Sequence, residues 1–119
     1  MLKYKDLTKE QKDFICNSCG GKGGWIKPPD FIFKASCNHH DFRYWRGATE
    51  DDRRLADKEF YGWTRADIED AKWYLKAYYH VWAFTYFQFV RFGGRKYFYY
   101  GEKPKELDDL IREMAAKIG

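Results

Sequence analysis

The chain has 119 residues and a formal net charge of +4, from 22 Lys and Arg against 18 Asp and Glu. That length suits one domain with its own core, spanning 1–119. The mild charge excess is compatible with an anionic membrane surface or a nucleic acid and demands neither, no block of like charges reads as a nucleic-acid arm, and three cysteines are too few for a disulfide-built scaffold.

Taken in chain order, the punctuation is helical. The N-terminal residues show no apolar signal-peptide core. Thr8 with Gln11 has the capping-box spacing and predicts a helix to about Ile15. "CNSCGGKGGWIKPPD" follows, a loop with four glycines and two prolines. A second helix is expected from about Phe31 to Gly47, whose glycine suits the residue after a helix. Thr49 before Glu50, Asp51 and Asp52 opens a third, expected to stop near Gly62. Thr64 with Asp67 predicts a fourth, long helix ending at Gly93-Gly94. "RKYFYY" is open between strand and extended chain. Pro104 opens a last helix with an apolar stripe of Leu107, Leu110, Ile111, Met114 and Ile118. The fold class is all-α. Ala77 to Val90 is too short an apolar run for a membrane span of ~20 residues.

The second helix carries the chemistry. At ~100° per residue, Phe33, Cys37, His40, Asp41 and Tyr44 share one sector, while His39 falls near Ile32, Arg43 and Arg46. His39 is therefore a surface or packing residue. On the third helix Asp57 lies between Phe60 and Tyr61, and an acid among aromatics needs a partner. A short turn at Gly47-Ala48 makes the two helices antiparallel and returns Asp57 to His40. A histidine with one nitrogen held by a carboxylate and the other free is a general-base arrangement. The plainer alternatives are a satisfied His-Asp-Tyr cluster and an Asp57 paired with Arg53 or Arg54.

Cys37, His40, Asp41 and Tyr44 spell C-x-x-H-D-x-x-Y. Together with "SCGGKGG" upstream and Asp57 downstream, this resembles the secreted phospholipase A2 family, most closely its short bacterial and fungal forms. The resemblance covers about 17–61; the aromatic helical part, about 63–119, aligns with nothing in it. It implies two antiparallel active-site helices and a glycine-rich calcium loop. The implied activity is calcium-dependent hydrolysis of the sn-2 ester of glycerophospholipids. His40 would be the base, Asp57 its orienting partner, and Tyr44 a hydrogen-bond donor to Asp57. Asp41 and the carbonyls of Ser18, Gly20 and Lys22 would bind Ca²⁺, with Gly20 also lending its N–H to the oxyanion. Cys19 and Cys37 would be bridged. The chain departs from the family at Arg43, where animal enzymes carry a cysteine, and at Asn17-Ser18, where an aromatic is usual.

The aromatic stretch from Trp73 to Phe92 is expected to form a core helix or a lipid-facing one, with Trp73, Trp82 and Phe87 as interfacial residues. Phospholipid at a membrane or micelle surface is the expected partner, and no nucleic acid is expected. The resemblance favours secretion, although the chain shows no signal peptide. Two alternatives stand beside this reading. One is a phospholipase fold with a silent site, acting as a binding or virion-associated protein. The other is a small Cys₃His zinc module for nucleic acid, built on Cys16, Cys19, Cys37 and His39 or His40.

Overall fold

Thr8 caps the first helix as its spacing predicts. Its hydroxyl accepts from the Gln11 N–H and the Gln11 side chain accepts from the Thr8 N–H. In a computed structural model that describes residues 2–16 and 32–118, five α-helices form the fold. They are α1 (Lys9–Ile15), α2 (Lys34–Arg46), α3 (Glu50–Glu69), α4 (Lys76–Gly93) and α5 (Leu107–Ile118). The described residues are all-α, with one isolated parallel bridge between Ala48 and Tyr100.

Several boundaries depart from expectation. Gly62 does not end the third helix; α3 runs through it to Glu69. A Cβ at Gly62 would meet nothing, so the glycine marks neither a turn nor a close approach. Thr64 is no cap either, since it is fully buried and its hydroxyl donates to the Tyr61 carbonyl inside the helix. The break falls at Asp70, and α4 starts only at Lys76 after a 3₁₀ turn over Trp73–Leu75. "RKYFYY" divides into a 3₁₀ turn over Gly94–Tyr97 and an extended stretch that reaches the bridge at Tyr100. The last helix begins at Leu107 rather than at Pro104, with the Glu106 N–H bonded to the Asp109 carboxylate.

Thr49 and Asp52 form the capping box that opens α3. From there Ala56, Phe60, Thr64 and Ile68 recur every fourth residue and are all buried, the spacing that keeps side chains on one helix face. α2 and α3 are antiparallel: Ser36 meets Asp67, Arg43 meets Glu59, and Tyr44 meets Asp57. α4 closes the other side, so that Phe33 at the N-cap of α2, Cys37 of α2, Phe60 and Ile68 of α3, and Ala83 and Tyr86 of α4 make one core cluster.

A second cluster lies across α2. Leu7, Ile15, Phe42 and Leu110 join α1, α2 and α5. The α5 stripe is only partly used, with Leu110 fully buried while Leu107 and Ile111 stand exposed. α2 is thus buried on two sides, and Ser36, Cys37, His40, Phe42, Tyr44 and Arg46 are all inside.

Its C-terminal end is clamped by distant chain. Gly47 has φ +66°, and a Cβ there would land on the Tyr99 carbonyl, so the left-handed turn and the close strap both require glycine. The strap bonds Ala48 N–H to Tyr99 O, Tyr99 N–H to Tyr44 O, Gly101 N–H to Ala48 O, and Lys105 N–H to Arg46 O.

Candidate active site

Asp57 is the centre of the polar interior, with 0% of its surface exposed. A carboxylate taken out of water needs hydrogen bonds on both oxygens, and both are used. On Oδ1 it accepts from His40 Nε2 at 2.9 Å and from the Tyr44 hydroxyl at 2.5 Å. On Oδ2 it meets Arg53 Nη1 at 3.4 Å and Arg91 Nη1 at 3.6 Å. The expected partner set of His40, Asp57 and Tyr44 is therefore brought together. The alternative of an Asp57–Arg53 pair is present too, buried rather than at the surface.

Arg53 does more than neutralise. Its Nε and Nη2 grip the Glu50 carboxylate at 2.8 and 2.6 Å. Its Nη1 also donates to the carbonyls of Val90 and Arg91, at 3.2 and 3.4 Å. Those carbonyls belong to the last turn of α4, whose negative dipole end favours a cation, and the Val90 carbonyl also accepts from the Gly94 N–H and from the Tyr44 hydroxyl. Glu50, drawn on by Arg53 and by the Tyr100 hydroxyl, is held down at about 2. Gly94 gives the Tyr44 hydroxyl its room, since a Cβ there would overlap it.

His40 sits against Tyr44 and Phe60, with ring centroids 4.1 and 4.7 Å away. Burial lowers its pKa most; the Asp57 bond pulls the other way, and Arg43 and Arg53 add to the lowering. The ring is thus biased to the neutral form. With Nε2–H donating to a carboxylate, Nδ1 is the nitrogen left to accept a proton. The Tyr44 hydroxyl is pushed up, first by burial and then by its bond to Asp57, so it stays a donor.

His39 falls elsewhere, as its angular position predicts. Its ring lies tilted between those of Tyr4 and Trp63, with centroids 4.2 and 5.2 Å away. Asp41 is half-buried on α2, next in sequence to His40. Cys37 is buried one turn before His40. Ser18, Cys19, Gly20 and Lys22 lie outside the described residues, and with them most of the expected calcium ligands, the oxyanion N–H and the expected Cys19–Cys37 bridge. Among the described residues no three His, Cys, Asp or Glu side chains gather as a metal site. Of the calcium ligands that the resemblance implies, Asp41 is the one among the described residues, and its carboxylate oxygens suit a hard cation. Cys16 donates its thiol to the Asn38 carbonyl at 3.4 Å.

Of the expected interfacial residues, Trp73 is 83% exposed. Trp82 and Phe87 are not free surface. Trp82 packs on the α2–α3–α4 core, and Phe87 stacks on Tyr61 at 4.9 Å.

Arg91, Gly94 and the α4 carbonyls escaped the sequence reading. Arg53 stands four residues before Asp57, so its contact was readable as a helical pair. Arg91 is 34 residues further on and carries no local signal. No family model, curated protein or solved structure matches the chain.

Proposed function

We propose that the protein is a calcium-dependent, phospholipase A2-like hydrolase that cleaves the sn-2 ester of glycerophospholipids. The observation that carries this reading is a buried His40 whose Nε2 lies 2.9 Å from the Asp57 carboxylate, in surroundings that favour the neutral ring. In the proposed reaction Nδ1 takes a proton from water as the oxygen attacks the ester carbonyl. The resulting imidazolium is balanced by Asp57, then returns the proton to the departing glycerol oxygen. Fatty acid and lysophospholipid leave. Tyr44 and Arg53 hold the two Asp57 oxygens and so fix the imidazole plane. Asp41 and the carbonyls of Ser18, Gly20 and Lys22 would hold Ca²⁺, which when bound supplies positive charge for the oxyanion.

The experiment is fatty-acid release from sn-2-labelled phosphatidylcholine vesicles. Activity should vanish with a calcium chelator and return with Ca²⁺. His40→Ala should abolish it and His39→Ala should leave it nearly unchanged. Release that survives chelation would remove Asp41 from the mechanism.

A second reading draws on the same cluster. Two guanidiniums on Asp57 and three helices joined through it also make a structural clamp. On that reading the fold binds lipid without cleaving it, and no release is seen under any calcium condition.

A further inference from the structure

α4 is apolar on the face that the core does not use. Ala83 and Tyr86 turn inward, whereas Tyr78, Val81, Phe84, Phe89 and Phe92 on the far side are exposed, Phe92 to 86%. Taking ~200 Å² per aromatic ring, Tyr78, Phe84, Phe89 and Phe92 alone leave on the order of 500 Å² open. That already matches the largest apolar patch of a typical monomer, ~300–600 Å². A depression of about 290 Å³ lined by Thr85, Gln88, Phe89, Phe92 and Gly93 lies within it.

The charge of this segment is one-sided, with Asp57 and Glu50 of α3 reaching its Arg91 and Arg95 at 3.6 and 3.8 Å. Residues 71–101 hold five of the 22 basic residues and none of the 18 acidic ones, so the rest of the chain nets −1. The cations stand at the ends of the patch: Lys72 is exposed beside Trp73, and Arg95 and Lys96 are exposed beyond Phe92. Ala77 to Val90 carries no Lys, Arg, Asp or Glu at all.

We infer that the outer face of α4 docks the protein onto a bilayer containing anionic lipid, lying along it rather than crossing it. No helix among the described residues is long and apolar enough to span a membrane. Aromatics settle at the lipid–water boundary, and Lys and Arg beside them bind anionic headgroups. A second copy fits worse, because pairing the face with itself in either direction sets cations against cations with no acid in the segment to meet them. A nucleic-acid strand fits worse too, because phosphates need cations along the length of the site, where α4 has none. The inference gives the proposed lipid hydrolysis its surface, but binding does not require turnover.

The test uses the wild-type protein and vesicles of ether-linked phosphatidylcholine, which has no ester to cleave, with and without ether-linked phosphatidylglycerol. A failure to dock is thereby separated from a failure to hydrolyse. Binding is expected on the anionic vesicles and should weaken as salt is raised, with a blue shift in tryptophan emission that Trp73→Phe reduces. Arg95→Gln with Lys96→Gln should weaken binding roughly thirty-fold. Phe89→Ser with Phe92→Ser should abolish it while circular dichroism stays unchanged. The inference is overturned if the serine variant binds as the parent does, or if no vesicle is bound. It is equally overturned if the parent sediments as a dimer that those serines disperse, or if a single-stranded oligonucleotide binds this face in place of lipid.

Discussion

Burial lowers the pKa of His40 against the pull of Asp57, and this sets the sign of its contribution to stability. A histidine kept neutral binds fewer protons folded than unfolded. Stability is then intact above the unfolded value of about 6.5 and falls as pH drops toward the lowered folded value. Denaturant midpoints should decline below about pH 6.5, and His40→Gln should flatten the decline more than His39→Gln, although burial lowers His39 as well. Asp57 tests the other half of the pair. Asp57→Asn should cut kcat by about 10²–10⁴-fold, the usual scale of general-base catalysis, and leave calcium affinity unchanged. Asp41→Asn should do the reverse. Because Asp57 is buried beside two guanidiniums, its loss also strands charge and should cost ~3–5 kcal/mol in chemical denaturation. A surface pair with Arg53 would cost at most ~1 kcal/mol.

α3 is the element whose length the sequence disguised. Gly62 and the Thr64–Asp67 spacing imitate a helix end and a new cap, yet both lie inside one helix. Local signals cannot tell a capping threonine from a buried one; packing against α2 and α4 decides it. The His40–Asp57–Tyr44 set was legible because helical periodicity and one short turn are enough to bring those residues together. The contacts of Arg91 and Gly94 were not, because they depend on how α4 lies across α3. The residues on the exposed side of α4 were only partly legible for the same reason: Trp73 is exposed as expected, whereas Trp82 and Phe87 are packed, because aromatics surround the helix and only the packed structure shows which of them the core consumes. Two substitutions separate these roles. Gly62→Ala fills open space in a helix interior and should stabilise by about 0.5–1 kcal/mol, read as a higher denaturant midpoint. Gly94→Ala should push the Tyr44 hydroxyl off Asp57 and lower kcat with little change in vesicle binding.

At the scale of the molecule, α2 is the shared member of three clusters, one with α3 and α4, one with α1 and α5, and a small one in which Tyr44 meets Ala56 and Phe98. The candidate site faces the first cluster, and the second supports it from behind. α5 is tied on by Leu110 in the core, by Trp45 Nε1 donating to Glu113 at 3.1 Å, and by Arg46 on Glu106 at 2.7 Å. Leu110→Ala should cost about 2–5 kcal/mol in urea unfolding. It should also reduce activity near the transition, because loosening α5 frees the helix that carries His40.

The strap over Gly47 makes a clock of the backbone. Four main-chain bonds join 99–105 to the end of α2, and none of them lies inside a helix. The amides of Ala48, Tyr99, Gly101 and Lys105 should therefore exchange with deuterium together, at one shared rate set by lifting the strap. If that rate follows global unfolding, the histidine helix is held as firmly as the core. If it runs faster, the chain peels from 99–105 first, and the Tyr44 end of α2 is the first part of the site to loosen.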